Sequence, residues 1–227
     1  MHRVRKDFWG ATIASLWAEI WFRPRATIRR AVDSGALRGA VLLSMASGVV
    51  QALVAGANNH VGFRGSALVI LAIALPIGVG WGMLQLAILT ALLYVVGRWT
   101  NSPGTLPELC TALGWASVPI SAALPLWVIA TGFIGRALYI DPQDVAWSQP
   151  WHLLLTIFVA LATAVCIAWW WVILAKAVAE VRRISTWAAV GHLVLALVLV
   201  GLVGLFLAVA TAFVMNLLHG SHPPAAV

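Results

Sequence analysis

Between residues 39 and 218 the chain consists of long apolar runs with almost no charge inside them, and this pattern restricts the fold more than any other feature. Hydrocarbon offers no water to backbone N–H and C=O groups, so a spanning segment must be a helix or part of a closed barrel. A helix needs about 20 predominantly apolar residues to cross a core roughly 30 Å thick. Five segments meet that requirement, at about 39–57, 67–97, 118–138, 152–175 and 187–218. Only 9% of residues are Asp, Glu, Lys or Arg, against about 25% in soluble domains, which excludes an ordinary water-soluble fold. The expected fold class is an all-α integral membrane protein, a five-helix transmembrane bundle. Its parts are a basic amphipathic cytoplasmic segment at 1–38, the five-span domain at 39–218 and a short outer tail at 219–227.

Two of the spans are expected to be kinked. The second segment is too long for a simple crossing, and Pro76, followed by Gly78, Gly80 and Gly82, offers a break, because proline removes a helical hydrogen bond and clashes with the preceding turn. An outer half-helix should precede a true crossing at about 79–97. The third segment holds Pro119 and Pro125 within one apolar run, and its freed carbonyls should be met by neighbouring helices or by Ser117 and Ser121. An amphipathic lead-in, "TLPELCTALGW", opens with Thr105 and Glu108 at the spacing of a capping box. Ser185 is the expected N-cap of the fifth span.

Lys and Arg decide orientation, since positive charge near span ends stays on the cytoplasmic side. With the N-terminus inside, the inner face holds Arg3, Arg5, Lys6, Arg23, Arg25, Arg29, Arg30, Arg38, Arg98, Lys176, Arg182 and Arg183, and the outer face only Arg64 and Arg136. The C-terminus is then outside. No cleavable signal peptide is read in "MHRVRKDFWG". Cys110 and Cys166 lie in different apolar segments and are expected to be free thiols.

The basic arm carries the strongest functional signal. Trp9, Ile13, Leu16, Trp17 and Ile20 recur at spacings of three and four, with Thr12, Ser15 and Glu19 on another face, as in a helix lying on a bilayer surface. The stretch "WFRPRATIRR" follows, in which Trp21 and Phe22 extend the apolar side. Pro24 opens a second short helix, and Arg23, Arg25, Arg29 and Arg30 can meet anionic headgroups. Trp17, Trp21, Phe22 and these four arginines are the candidate lipid-binding or partner-binding residues. So short an arm has no recognition fold for nucleic acid.

The segments "WAEIWFRPRATIRR", "LGWASVP" and "AKAVAEVRRISTWAA", set in five spans, resemble the YIP family of membrane proteins named for interaction with Ypt/Rab GTPases. The likeness covers most of the chain and is to the short prokaryotic-type members. It implies five spans, a non-enzymatic organising role and a multi-pass location in a bacterial inner membrane. The chain shows no Asp-Leu-Tyr-Gly-Pro-like motif, so Rab binding is not carried over.

Small residues mark where helices can approach closely in lipid. Gly78 and Gly82 form a G-x-x-x-G pair, and Gly204, Ala208 and Ala212 repeat every four residues on the fifth span. Packing within the bundle is the expected use, and a homo-oligomer contact the other. Gln51 and Gln85 are expected to bond between helices. Lys176 and Glu180 lie one turn apart near the inner end of the fourth span, as a structural pair or as a polar gate shared with Gln85 or Glu108.

His60, His152, His219 and His222 fall at outer span ends and are read as solvent-facing. His192 stands alone, and Asp141 and Asp144 are isolated in "YIDPQDVAW". Acid/base catalysis needs positioned carboxylates or a partnered histidine, and no phosphate-cradling loop, zinc spacing or hydrolase elbow is present. No enzyme, cofactor or metal is expected. The preferred reading is a membrane-organising or partner-binding module, with anionic lipid and a membrane or cytosolic protein as partners. The alternatives are a small transporter or lipid-handling protein with a cavity between kinked spans, and an accessory subunit of a larger membrane complex.

Overall fold

The computed structural model describes residues 15–61, 66–102, 104–140 and 150–219. Trp9, Thr12, Ile13, Arg64, Asp141, Asp144 and His222 lie outside them. A helical stretch at 15–19 leads into α1 (Pro24–Asp33), followed by α2 (Leu37–Asn58), α3 (Ala67–Trp99), α4 (Leu106–Ala116), α5 (Val118–Ala122) and α6 (Leu124–Ile134). A 3-10 turn at Gly135–Tyr139 precedes α7 (Pro150–Arg182) and α8 (Thr186–His219). Among the described residues, five units are long and apolar enough to cross a membrane: α2, α3, the relay α4–α6, α7 and α8.

The third crossing begins earlier than its hydropathy suggests. Thr105 caps α4, with its Oγ1 accepting from the Glu108 N–H while the Glu108 carboxylate accepts from the Thr105 N–H. Residues expected to lead into the span are continuous with it, and the apolar unit long enough to cross is Leu106–Ile134. It is broken at Ser117 and Ala123, each followed within two residues by proline. Ser117 Oγ donates to the Leu113 carbonyl and Ser121 Oγ to the Val118 carbonyl, at 3.4 and 2.9 Å. These bonds satisfy acceptors beside the kinks, where proline supplies no N–H. Gly135, at φ +62°, ends α6 in a left-handed conformation that glycine adopts without strain.

At Pro76 the outcome differs from the sequence expectation. The helix runs unbroken from Ala67 to Trp99, so no separate outer half-helix precedes the crossing. Proline costs a hydrogen bond but leaves the rest of the ladder, and neighbouring helices hold α3 together across it. Gly78 and Gly82 face α2 so closely that a Cβ on Gly78 would strike the Val49 backbone and one on Gly82 the Ser44 carbonyl. Gly48 on α2 is equally constrained by Gly78 and Gly82. Backbone-to-backbone approach of this kind is how small residues bind helices in lipid.

Two buried clusters fill the bundle. One, at the end bearing the N-terminal arm, joins Leu16, Ile20 and Ile28 to Leu93, Leu113, Trp115 and Val178. The other joins Val50, Leu53, Ile120, Trp127, Tyr139 and Val159. Trp115 is fully buried; its indole N–H donates to the Ala36 carbonyl at 3.2 Å and its ring lies over Gly39. In the second cluster Trp127 donates to Thr163 Oγ1 at 2.9 Å, and the Thr131 and Tyr139 hydroxyls bond at 2.8 Å.

Candidate functional site

The arm is clamped onto the bundle rather than lying apart from it. Leu16 and Ile20, two of the residues read as membrane-facing, are buried in the protein together with Ile28 and Ala31 of α1. Of the residues at spacings of three and four, Leu16 and Ile20 turn into the protein core while Trp17 is exposed, and α1 packs against α4 and α7. Pro24 occupies the first turn of α1, as expected, and Thr27 Oγ1 donates to the Arg23 carbonyl at 2.9 Å.

The four arginines divide by what they hold. Arg29 donates from Nε to the Glu180 carboxylate and from a terminal nitrogen to the Glu180 carbonyl, both at 3.0 Å. Arg30 pairs with Glu19 across the turn between the two arm helices. Arg25 donates to Thr186 Oγ1 at 3.0 Å, reaching the first residue of α8. Arg23 is exposed. Arg29 and Arg25 therefore fasten the arm to α7 and α8, Arg30 pairs within the arm, and Arg23, Arg25 and Arg30 are all exposed.

Aromatic rings surround this end. Phe22 is 88% exposed and Trp187 86%, with Trp17 and Trp99 also exposed. Trp21 is half-buried and meets Trp17 edge-on, with ring centroids 6.2 Å apart. Arg38, Arg98 and Arg183 are exposed beside α2, α3 and α7. Large rings next to cations are the composition of a headgroup-level belt, where amphipathic side chains are most stable.

Arg182 behaves unlike its neighbour Arg183. It is 1% exposed, and its guanidinium donates to the Leu93 carbonyl and occupies the space that a side chain at position 97 would need. Gly97 is therefore required by the arginine. The cation lies near the C-terminal end of α3, where it opposes the partial negative charge of the helix dipole. A helical face of Ala175, Val178, Ala179 and Arg182, at spacings of three and four, carries it inward.

The polar residues of the spans are used locally. Gln51 Nε2 donates to Gln85 Oε1 at 2.8 Å, the expected bond between α2 and α3, and Trp81 Nε1 donates to Gln51 Oε1 at 3.1 Å. Glu180 takes Arg29, and Glu108 serves the α4 cap. The gate joining Lys176 and Glu180 to Gln85 or Glu108 is thus not assembled. Cys110 and Cys166 are free and partly buried. Gly204 meets nothing within 4 Å, and Ala208 and Ala212 are exposed, so in this chain the stripe on α8 faces outward. The residues missed by sequence reading are Glu180 as the receptor for Arg29, Arg182 as a buried cation, and Ser44 and Gly48 as the small-residue partners of Gly78 and Gly82.

No curated protein and no solved structure matches the chain. The family model described as the Yip1 domain matches residues 18–208, from the arm through the first four crossings and into most of the fifth, α8. The segments that resemble the family are those that build the clamped arm and the relay, and the chain belongs to the Yip1 domain family of membrane proteins.

Proposed function

We propose that the protein is a non-enzymatic membrane-organising module whose clamped arm presents a cationic, aromatic surface to an anionic lipid leaflet. The observation that carries this reading is the exposure of Phe22 and Trp187 beside Arg23, Arg25, Arg98 and Arg183 at one end of the bundle. The arm lies at the inner face of a bacterial cytoplasmic membrane, with the N-terminus inside, and a cytosolic or membrane protein can use the same surface. Arg29 and Arg30 act in this reading by holding the arm in position, while Arg23 and Arg25 meet headgroups.

Native mass spectrometry of the purified chain, titrated with phosphatidylglycerol or phosphatidylcholine, tests the proposal. Each basic residue near an anionic surface is worth about 1 kcal/mol, so Arg23→Gln should reduce selectivity for the anionic lipid about fivefold. Adding Arg98→Gln should lower it again by a similar factor. Equal binding of the two lipids by the unaltered chain would defeat the reading.

The alternative of an accessory subunit draws on a different observation. Residues 201–209 of α8 are all exposed, and Gly201 and Gly204 have open space where a side chain would stand. Close approach by another helix is what such positions permit. Cysteine cross-linking from position 204 in native membranes would capture that neighbour, whereas labelling by lipid alone would remove the support.

A further inference from the structure

A small chamber lies where α2, α3, α4, α5 and α7 meet, its mostly apolar lining broken by Ser44, Ser47, Gln51, Gln85 and Ser117. Its volume is about 20 Å³, and a single water requires about 10–15 Å³ with two to four polar partners. Ser44 is 2% exposed, and its Oγ has no hydrogen-bond partner among the described residues. A buried hydroxyl left unpaired has lost its hydration without replacement, so its presence among apolar helices calls for a ligand.

The other polar groups are partly used, in a way that leaves capacity facing inward. Ser47 Oγ donates to the Ser44 carbonyl at 2.9 Å and Ser117 Oγ to the Leu113 carbonyl at 3.4 Å. Each hydroxyl oxygen keeps the ability to accept. Gln85 accepts from Gln51 through Oε1, which leaves its amide N–H groups as donors. The lining contains both donors and acceptors but no carboxylate. A cation there would be uncompensated within the bilayer.

We propose that this chamber is a binding site for one ordered water molecule, held by Ser44 together with Gln85, Ser47 or Ser117. The water completes the hydrogen bonding of Ser44 beside the close approach of α2 and α3 at Gly48, Gly78 and Gly82. This inference is independent of how the basic end meets lipid.

X-ray radiolytic labelling of the full chain in lipid nanodiscs, with rapid mixing into ¹⁸O-water, reads bound water directly. Leu86 and Leu113, which line the chamber and are buried, should be oxidised more than Leu93, which is buried and does not line it. The incorporated oxygen should exchange slowly with the added water. Ser44→Val, which fills the space, should abolish the excess. Ser44→Ala supplies a second readout with a definite sign: loss of a water partner lowers Tm, whereas removal of a hydroxyl from a dry chamber raises it. Labelling of Leu86 and Leu113 no greater than that of Leu93, or a higher Tm for Ser44→Ala, would overturn the proposal.

Discussion

The third and fifth crossings have nearly the same length, 29 and 30 residues, yet half of the third's most apolar window is buried in the protein against 11% of the fifth's. The fifth is the more apolar of the two. In water this order would be reversed, because the most hydrophobic helix would occupy the core. In lipid there is no hydrophobic force between helices, and close packing and interhelical hydrogen bonds decide which crossing lies at the centre. The third contains Thr111, Ser117, Ser121 and Thr131 together with Gly114 and two buried tryptophans, all requiring specific neighbours. From Leu193 to Ala210 the fifth has no polar side chain, and its residues 201–209 are all exposed.

Substitutions can break this contrast if it is misread. The largest effect is expected from Gly82→Leu or Gly114→Leu, which places a side chain into the backbone of α2. Overpacking that side chains can relieve costs about 1–3 kcal/mol, but here whole backbones must separate, so both variants should lose the folded state altogether in a thermal scan in detergent. Gly204→Leu should leave the midpoint unchanged, because nothing lies within 4 Å. Equal losses at 82 and 204 would remove the distinction between the two crossings.

Trp115→Ala comes next, with an expected loss of about 3–5 kcal/mol in a chemical unfolding titration, from truncation of a buried aromatic. Arg29→Gln should cost about 1 kcal/mol, since the ion pair with Glu180 is only part-buried. Its signature is local: amide exchange at residues 15–33 should quicken while α4 remains protected. The smallest effect belongs to Gln51→Leu, about 0.6 kcal/mol by analogy with average hydrogen bonds between membrane helices. It should appear as a small Tm decrease without loss of fold.

The sequence made some levels of this structure legible and left others hidden, for physical reasons. The number of crossings was readable because hydrocarbon thickness sets a helix length. The kinks of the third crossing were readable from Pro119 and Pro125, and the cap of α4 from Thr105 and Glu108. The beginning of that crossing was not, because residues 106–116 are less apolar than lipid exposure demands but are covered by protein. The arm's apolar face was visible at Leu16 and Ile20, yet its spacing cannot distinguish lipid from a protein neighbour. With 7 acidic residues against 14 basic ones, the acids near the arm were natural targets for Arg29 and Arg30. Choosing Glu180 required the fold. Arg182 was concealed in the same way, since nothing local separates it from Arg183 except the helical face continued from Ala175 and Val178.

The length of α7 couples bilayer geometry to the position of the arm. Its 33 residues extend about 50 Å at 1.5 Å per residue, well beyond a hydrocarbon slab of roughly 30 Å. When such a helix leans to suit a thinner bilayer, Glu180 travels with it, and so does the segment fastened there by Arg29. Any tilt of α7 would therefore be felt at the arm through the two Arg29 bonds to Glu180.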